Sequence, residues 1–412
     1  MNSALETLKI RGFFQQCSNA EGLSKLMDDG PVAFYEGTDP TGGSLHIGHM
    51  VPYFAFRHLR DAGHTGVALL GGGTARIGDP SGKDSVRKML SYEQLDINTE
   101  SIRRQLDKFV GFDGKTAFTA NNKDWLSNLN YIDFLREIGS HFSVNRMLSF
   151  EAYKMRMETG LSFIEFNYQL LQSYDFLELY RRHNCRLQIG GDDQWGNIVA
   201  GVDLIRRIEG VEAFALTFPL VTTSDGKKMG KTEKGALFLD SSITTPYDFF
   251  QYWRNVQDAD IRRFLLMFTF LPVDECDAVS AGNPNEAKER LAWEVTALIH
   301  SKEEADRALA GAKAAFGAGG DKSAMPGIQI SRSRLDAGIN IVDLFCETGL
   351  EPTKSEARRL VQQGGAFISS EKNGELSAVN NTAEVIDSKR LNSNGELILR
   401  AGKKRYCLVV VK

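Results

Sequence analysis

Between residues 31 and 225 short apolar runs alternate with longer stretches of helical period. The runs PVAFYEG (31–37), GVALLGGG (66–73), TAFTA (116–120), CRLQIGG (185–191) and FALTFPLV (214–221) have the length and composition of strands. Residues 49–62, 100–110, 131–142, 163–182 and 194–209 place apolar positions three and four apart, as helices do. This alternation predicts a mainly parallel sheet with helices on both faces. Ligands of such sheets bind beyond the carboxyl ends of the strands, where the Gly-rich turns fall.

The pattern changes after residue 246. PYDFFQYWRNVQDADIRRFLLMFTFL and NEAKERLAWEVTALIHSKEEADRALAGAKAAF carry helical period and almost no strand signal. GAGGDKSAMPG (317–327) reads as a linker, and two short helical segments, NIVDLFCETG and TKSEARRLVQQGG, precede a strand-like end, ELILRAGKKRYCLVVVK. The 412 residues are 42% hydrophobic and 25% charged, a soluble globular composition with room for two or three domains. The first residues do not read as a signal peptide, and no apolar run is long enough for a bilayer. Cys17, Cys185, Cys276, Cys346 and Cys407 are scattered without a CxxC pair, so neither a disulfide framework nor a structural zinc is expected, and a reducing cytoplasm fits. A net charge of −4 gives no support to nucleic-acid binding from total charge, so local basic clusters would have to carry it.

Five stretches bear chemistry. In SLHIGHM (44–50) the helical run that follows contains Pro52, which belongs in a first turn; the helix is therefore expected to start near Gly48 or His49, with both imidazoles at its amino end. Free amides and the helix dipole make that end an anion site, while zinc would need a third ligand that no neighbour offers. The two histidines alone fit an ordinary surface pair equally well. IGDPSGKDSVR (77–87) fails as a P-loop, because Lys83 is followed by Asp84, and GGGTAR lacks the third glycine of the dinucleotide fingerprint. Asp79 there suits an ammonium and Lys83 and Arg87 suit phosphate, although a capped turn with solvated charges explains the stretch as well. Tyr168, Gln172 and Asp175 fall at i, i+4 and i+7 on one helical face among apolar neighbours, so that face looks into protein or a pocket. LQIGGDDQWGNI (187–198) ends a strand in two glycines and two acids, as ribose-binding turns do. TTSDGKKMGKTEKG packs four lysines among three glycines, a loop suited to closing over polyphosphate or an exposed hairpin.

Together these residues resemble the class I aminoacyl-tRNA synthetases: HIGH matches their first signature and KMGKT is similar to their second, Lys-Met-Ser-Lys-Ser. FYEGTDPTGGSLHIGH, GDPSGK, YQLLQSYDF, LQIGGDDQWGNI and KMGKTEKGA follow the order and spacing of the bacterial-type tyrosyl-tRNA synthetases. The resemblance implies L-tyrosine, ATP with its Mg2+, and tRNA(Tyr) as substrates, no protein metal site, a homodimer and a cytoplasmic enzyme. It implies that Tyr35 and Asp175 read the phenolic hydroxyl, that Asp79, Tyr168 and Gln172 hold the ammonium, and that Gln194 lies near the carboxylate. Gly37, Asp39, Gly48, His49, Gly191 and Asp193 would line the adenosine site, and Thr41, His46, Lys83, Arg87, Lys228 and Lys231 would clamp pyrophosphate, with Lys231 also on ATP.

The expected architecture is α/β: a Rossmann-like parallel-sheet catalytic domain (1–235, signature loop 225–235), a helical anticodon-side domain (236–316), a linker (317–335) and a small α+β RNA-binding domain (336–412) similar to one first recognised in a ribosomal protein. In that last domain Lys354, Arg358 and Arg359, with Lys403, Lys404 and Arg405, would form one RNA-facing surface. A tryptophanyl-type synthetase and a non-catalytic RNA-binding homologue are the alternatives; Tyr35 with Asp175 argues against the first, and intact His46, His49, Lys228 and Lys231 against the second. Glu36, Thr38 and Asp192 depart from the expected pattern and bear on ATP affinity.

Overall fold

The computed structural model describes residues 1–81, 90–224, 226, 229–232, 235–316, 327–369, 376–392, 394–402 and 405–411. Six strands form the first sheet: β1 (Gln16–Cys17), β2 (Ala33–Thr38), β3 (Thr65–Leu70), β4 (Ala117–Asn121), β5 (Cys185–Gly191) and β6 (Phe214–Phe218). Their order is β1-β6-β5-β2-β3-β4, and every neighbouring pair is parallel except β1 with β6. From β2 the chain winds through β3 to β4, then crosses back to β5 and β6 on the other side. The order therefore reverses between β2 and β5, which is where a ligand crevice opens in such sheets.

Of four helices, α1 (Ile47–Asp61), α2 (Tyr92–Val110), α3 (Phe163–His183) and α4 (Trp195–Glu209), all but α2 line that crevice. Phe34 and Phe56 meet edge-on at 4.8 Å where β2 packs on α1. Tyr35, one residue along and on the opposite face, meets Phe176 of α3 at 5.2 Å. The sheet is thus covered on both faces. Ser162 caps α3 reciprocally with Glu165, and Asn184 ends it in the left-handed conformation at φ 50°.

α1 differs from expectation. It starts at Ile47, so Pro52 sits in the second turn rather than the first. A proline there cannot donate to the carbonyl four residues back, which is that of Gly48. Gly48 and Pro52 both face the crevice, where that carbonyl need not be paired within the helix.

The chain divides into two units, Met1–Thr244 with Asn255–Leu291, and Thr245–Arg254 with Ala292–Lys412. The stretch expected as one helical domain is thus cut, and there is a physical reason on the side of the first unit. The Arg11 guanidinium donates to the carbonyls of Leu266, Thr269 and Leu271, and Phe54 of α1 packs on Phe268 and Phe270 at 5.5 Å each. Residues 261–272 are thereby built into the core of the first unit.

In the second unit a five-stranded sheet is formed by β7 (Gly327–Ile330), β8 (Ala366–Ser369), β9 (Leu376–Ala378), β10 (Glu396–Ala401) and β11 (Arg405–Val411), in the order β9-β8-β10-β11-β7. Helices α5 (Ile341–Glu347) and α6 (Lys354–Gln362) cover one face through Val342, Phe345, Ala357 and Val361. The expected linker is shorter than 317–335. Residues 327–330 pair in parallel with β11, and Ile330 and Leu335 are buried in this core. Among the described residues no helix is long and apolar enough to cross a membrane.

Candidate active site

A cleft of about 500 Å³ opens beyond the carboxyl ends of β2 and β5. Its floor is β2 itself, from Tyr35 to Thr38, continuing into Asp39. At the rim, His46 caps α1 and His49 lies in its first turn. Their rings stack at 3.7 Å and 18°, and the His49 Nδ1 accepts the His46 amide at 3.2 Å. A Cβ on Gly48 would stand 3.0 Å from the His46 ring. The flat group that Gly48 admits is therefore the neighbouring imidazole, and the pair presents ring edges at a helix start, where an anion is favoured.

At the closed end lie Tyr35, 1% exposed, and Asp175, 2% exposed. The Tyr35 hydroxyl is buried and makes no hydrogen bond. Asp175 accepts from Trp125 Nε1 at 2.7 Å and from Asn122 Nδ2 at 2.9 Å. Burial nevertheless outweighs both bonds and lifts its carboxyl to about 8. Burial, then the neighbouring Asp175 charge, holds the Tyr35 phenol well above its ordinary range.

Between the two ends runs a set of polar contacts. Tyr168 donates to Asp39 Oδ2 at 2.9 Å, and Thr74 donates to Asp39 Oδ1 at 2.7 Å. Gln194 Nε2 donates to Asp79 Oδ2 at 2.7 Å, while the Ser81 amide donates to the other oxygen at 2.9 Å. Gln172 and Gln188 both line the cleft with a buried side-chain carbonyl that accepts nothing. Thr41, Gly37, Gly191 and Asp193 also line the cleft. A side chain at Gly191 would meet the Asp193 carboxylate at 2.6 Å.

Reading the sequence alone missed Thr74, Asn122, Trp125 and Gln188. Gln188 had a legible signal: it lies beside Tyr35 in the β2–β5 register and alternates onto the same face. The others had only their position just past strand ends. Of the departures, Asp192 lies outside the cleft lining and accepts from Gln16 and Thr217 at 2.7 and 2.8 Å, so its charge is held at the sheet edge. Glu36 is different. It lines the cleft, accepts from Thr38 at 3.0 Å, and is pushed up to about 8 by burial.

Lys83, Arg87 and Lys228 lie outside the described residues, as do Lys403 and Lys404 in the second unit. Lys231 is described only as backbone, in a two-residue strand with Thr232 that pairs with Gly235–Ala236. The segment beyond returns along the first signature: the Ile47 amide donates to the Leu237 carbonyl at 3.0 Å, and the Leu237 amide to the Gly230 carbonyl at 2.8 Å. Gly230 has φ +78°, and a Cβ there would stand 2.4 Å from Ile47 Cγ2. A glycine in place of the signature serine thus lets the two signatures touch. In the second unit, Arg405 is held by the Leu350 carbonyl and Glu351, and Lys354 by Asp343 at 2.8 Å. Arg358 and Arg359 are exposed on α6 and make no ion pair with another described residue. The expected single basic surface is therefore partly neutralised by its own carboxylates. Among the described residues no three His, Cys, Asp or Glu side chains are grouped as metal ligands.

A switch-point cleft with paired histidines at a helix start, and the Gly230 backbone of the second signature against Ile47 of the first, is the arrangement of a class I synthetase. Residues 27–317 match the profile of the tRNA synthetases class I (W and Y), and residues 321–409 that of the tyrosine–tRNA ligase SYY-like C-terminal domain. The tyrosine–tRNA ligases of Treponema denticola and Treponema pallidum are 63% and 58% identical, across 100% of this chain and 100% and 99% of theirs. A C-terminally truncated mitochondrial tyrosyl-tRNA synthetase of Aspergillus nidulans superposes with a TM-score of 0.70 at 29% identity, covering 77% of this chain and 95% of that one. A tryptophanyl-tRNA synthetase of Encephalitozoon cuniculi, at 15% identity and a TM-score of 0.57 over 73% of this chain and 87% of its own, shares the fold alone. The chain belongs to the tyrosine–tRNA ligase family.

Proposed function

We propose that the cleft carries out the tyrosine–tRNA ligase reaction as an adenylyl transfer followed by an acyl transfer, with its named side chains dividing the work. The tyrosine carboxylate attacks the α-phosphate of ATP to give tyrosyl-adenylate and pyrophosphate, and the tyrosyl group then passes to the terminal ribose of tRNA(Tyr). A carboxylate is already a nucleophile, so catalysis is positioning and charge stabilisation. His46, His49 and Thr41, with Lys83, Arg87, Lys228 and Lys231, meet the phosphates. Gly37, Asp39, Gly191 and Asp193 meet the adenosine; Asp79, Tyr168 and Gln172 hold the ammonium, and Gln194 orients towards the carboxylate. Magnesium arrives as the counter-ion of ATP, and no step is assigned to it. A cytoplasmic setting belongs to the same reading.

The observation that carries tyrosine as the amino acid is the Tyr35 hydroxyl, buried without a partner beside Asp175. A buried polar atom is costly until something pairs with it, and a phenolic hydroxyl both donates and accepts. ATP–pyrophosphate exchange with each of the twenty amino acids tests this. Exchange dependent on tyrosine alone is expected; comparable exchange with tryptophan would overturn it.

A homodimer belongs to the same reading. Half of the large apolar side chains exposed among the described residues fall within 131–164, including Ile132 and Phe163, each 69% exposed. We assign this stretch as the surface that a second copy of the chain would cover. Phe163→Asp is expected to shift the sedimenting species from dimer to monomer. For tRNA, Arg358 and Arg359 are the charges available to the phosphate backbone.

A further inference from the structure

The turn GGGT (71–74) fits neither fingerprint tested in the sequence, yet it lies at the centre of the cleft's polar contacts. It follows β3, and its three glycines are close-packed. A Cβ on Gly71 would stand 1.9 Å from Asp39 Oδ1 and 2.6 Å from Thr74 Oγ1, and one on Gly72 2.5 Å from Asn121 Oδ1. The turn is therefore bare because Asp39 and Thr74 at Gly71, Asn121 at Gly72 and Leu126 at Gly73 occupy the space a side chain would take.

Thr74 and Asn122 are 2% and 1% exposed, and their hydrogen bonds have a fixed direction. Asn122 Nδ2 donates one hydrogen to Asp175 Oδ2 at 2.9 Å and the other to Thr74 Oγ1 at 2.8 Å. Its carbonyl accepts the Gly73 amide at 2.7 Å. Thr74, its lone pair so engaged, gives its only hydrogen to Asp39 Oδ1 at 2.7 Å, and Tyr168 donates to Asp39 Oδ2 at 2.9 Å. The line runs from Asp175 through Asn122 and Thr74 to Asp39 and Tyr168 with each side-chain hydrogen used once. Neither Thr74 nor Asn122 keeps a polar hydrogen for substrate.

We infer that Thr74 is a positioning residue that joins the two ends of the cleft, holding Asp39 in the orientation it needs for nucleotide in register with Asp175 at the tyrosine end. This rests on the proposed roles of Asp39 and Asp175. A ligand phenol that repolarises Asp175 tightens or loosens the Asn122 bond, and the Thr74 hydroxyl carries that to Asp39. Filling one end thus changes affinity at the other, and the change is reciprocal.

The test uses the full chain with Thr74→Val, which keeps shape and removes the hydroxyl, and Thr74→Ser, which restores it. Equilibrium dialysis gives the tyrosine Kd with and without a non-hydrolysable ATP analogue, and single-turnover kinetics give the rate of adenylate formation. Thr74→Val is expected to slow adenylate formation by about 10-fold or more. It should move the tyrosine Kd in the absence of nucleotide by less than about 3-fold and abolish the effect of the analogue on that Kd; Thr74→Ser should recover both properties. In a cycle with Asp39→Asn, the two rate losses should be much less than multiplicative. Multiplicative losses, or an undiminished analogue effect in Thr74→Val, would overturn the link while leaving the role of Asp39 intact. An Asp39→Asn protein with normal nucleotide affinity would overturn that role and, with it, this inference.

Discussion

Replacing Glu36 by glutamine isolates one buried proton. Glu36 sits on β2 under α1, 7% exposed, with Thr38 donating to it and Thr38 in turn within 2.9 Å of the Tyr53 hydroxyl. Burial raises the carboxyl from an ordinary 4.5 to about 8, against the opposing pull of the Tyr53 and Thr38 hydrogen bonds. Between those values the folded chain keeps a proton that the unfolded chain has released. Stability therefore falls as pH rises from about 4.5 and levels off above about 8. The shift is about 3.5 units, 8 less 4.5, and at about 1.4 kcal/mol per unit it amounts to at most about 5 kcal/mol across the window. Glu36→Gln keeps the shape and loses the titration; Asp175, lifted similarly, titrates in both proteins and cancels. Urea unfolding of both proteins across the range is expected to show the gap moving in favour of the glutamine variant by about 2 kcal/mol between pH 6 and 7.5. Above about pH 9 it should stop changing. A gap independent of pH, or one that moves in favour of the wild type as pH rises, would show that Glu36 is ionised in the folded protein and refute the reasoning.

Further outcomes follow from the same geometry. Tyr35→Phe and Asp175→Asn should each narrow the tyrosine/phenylalanine ratio of kcat/KM by about 10-fold or more, the scale of a lost hydrogen bond to a buried hydroxyl; equal losses for both amino acids would mean that the two residues only shape the pocket. Gly230→Ser should slow adenylate formation by about 10-fold with tyrosine Kd unchanged, because a Cβ at φ +78° would also collide with Ile47; unaltered single-turnover rates would show that the contact between the two signatures is not used. A chain ended within 317–326 should retain pyrophosphate exchange and lose most tRNA charging at ordinary salt, and Arg358→Ala with Arg359→Ala should lower the slope of log affinity against log salt by about 2. Full charging by the shortened chain would remove the RNA-binding role.

The strands of the catalytic sheet were legible because each is a short apolar run ending at a glycine or polar turn, and their central position makes both faces apolar. β1, only Gln16–Cys17, was not, since its pairing with Thr217 and Leu216 comes from tertiary neighbours rather than from pattern. The helical face of Tyr168, Gln172 and Asp175 could be read because 3.6 residues per turn fixes it locally. Asn122 and Thr74 could not: they are far apart in sequence and meet only because β3 and β4 lie side by side. The helical stretch 246–316 looked uniform, yet its partition between units is decided by Arg11 and Phe54, which lie some two hundred or more positions earlier.

The first and last strands of the second unit's sheet in chain order meet each other: β7 pairs in parallel with β11, Ile330 opposite Val411. β11 is also an interior strand, bonded to β10 on its other side. During synthesis the strands of the first sheet, complete by Phe218, emerge long before this one. At synthesis rates of about 5–20 residues per second the catalytic sheet has many seconds to form on a tethered chain. The second sheet closes later: β7 can pair only once β11, made after every other strand of that sheet, has emerged.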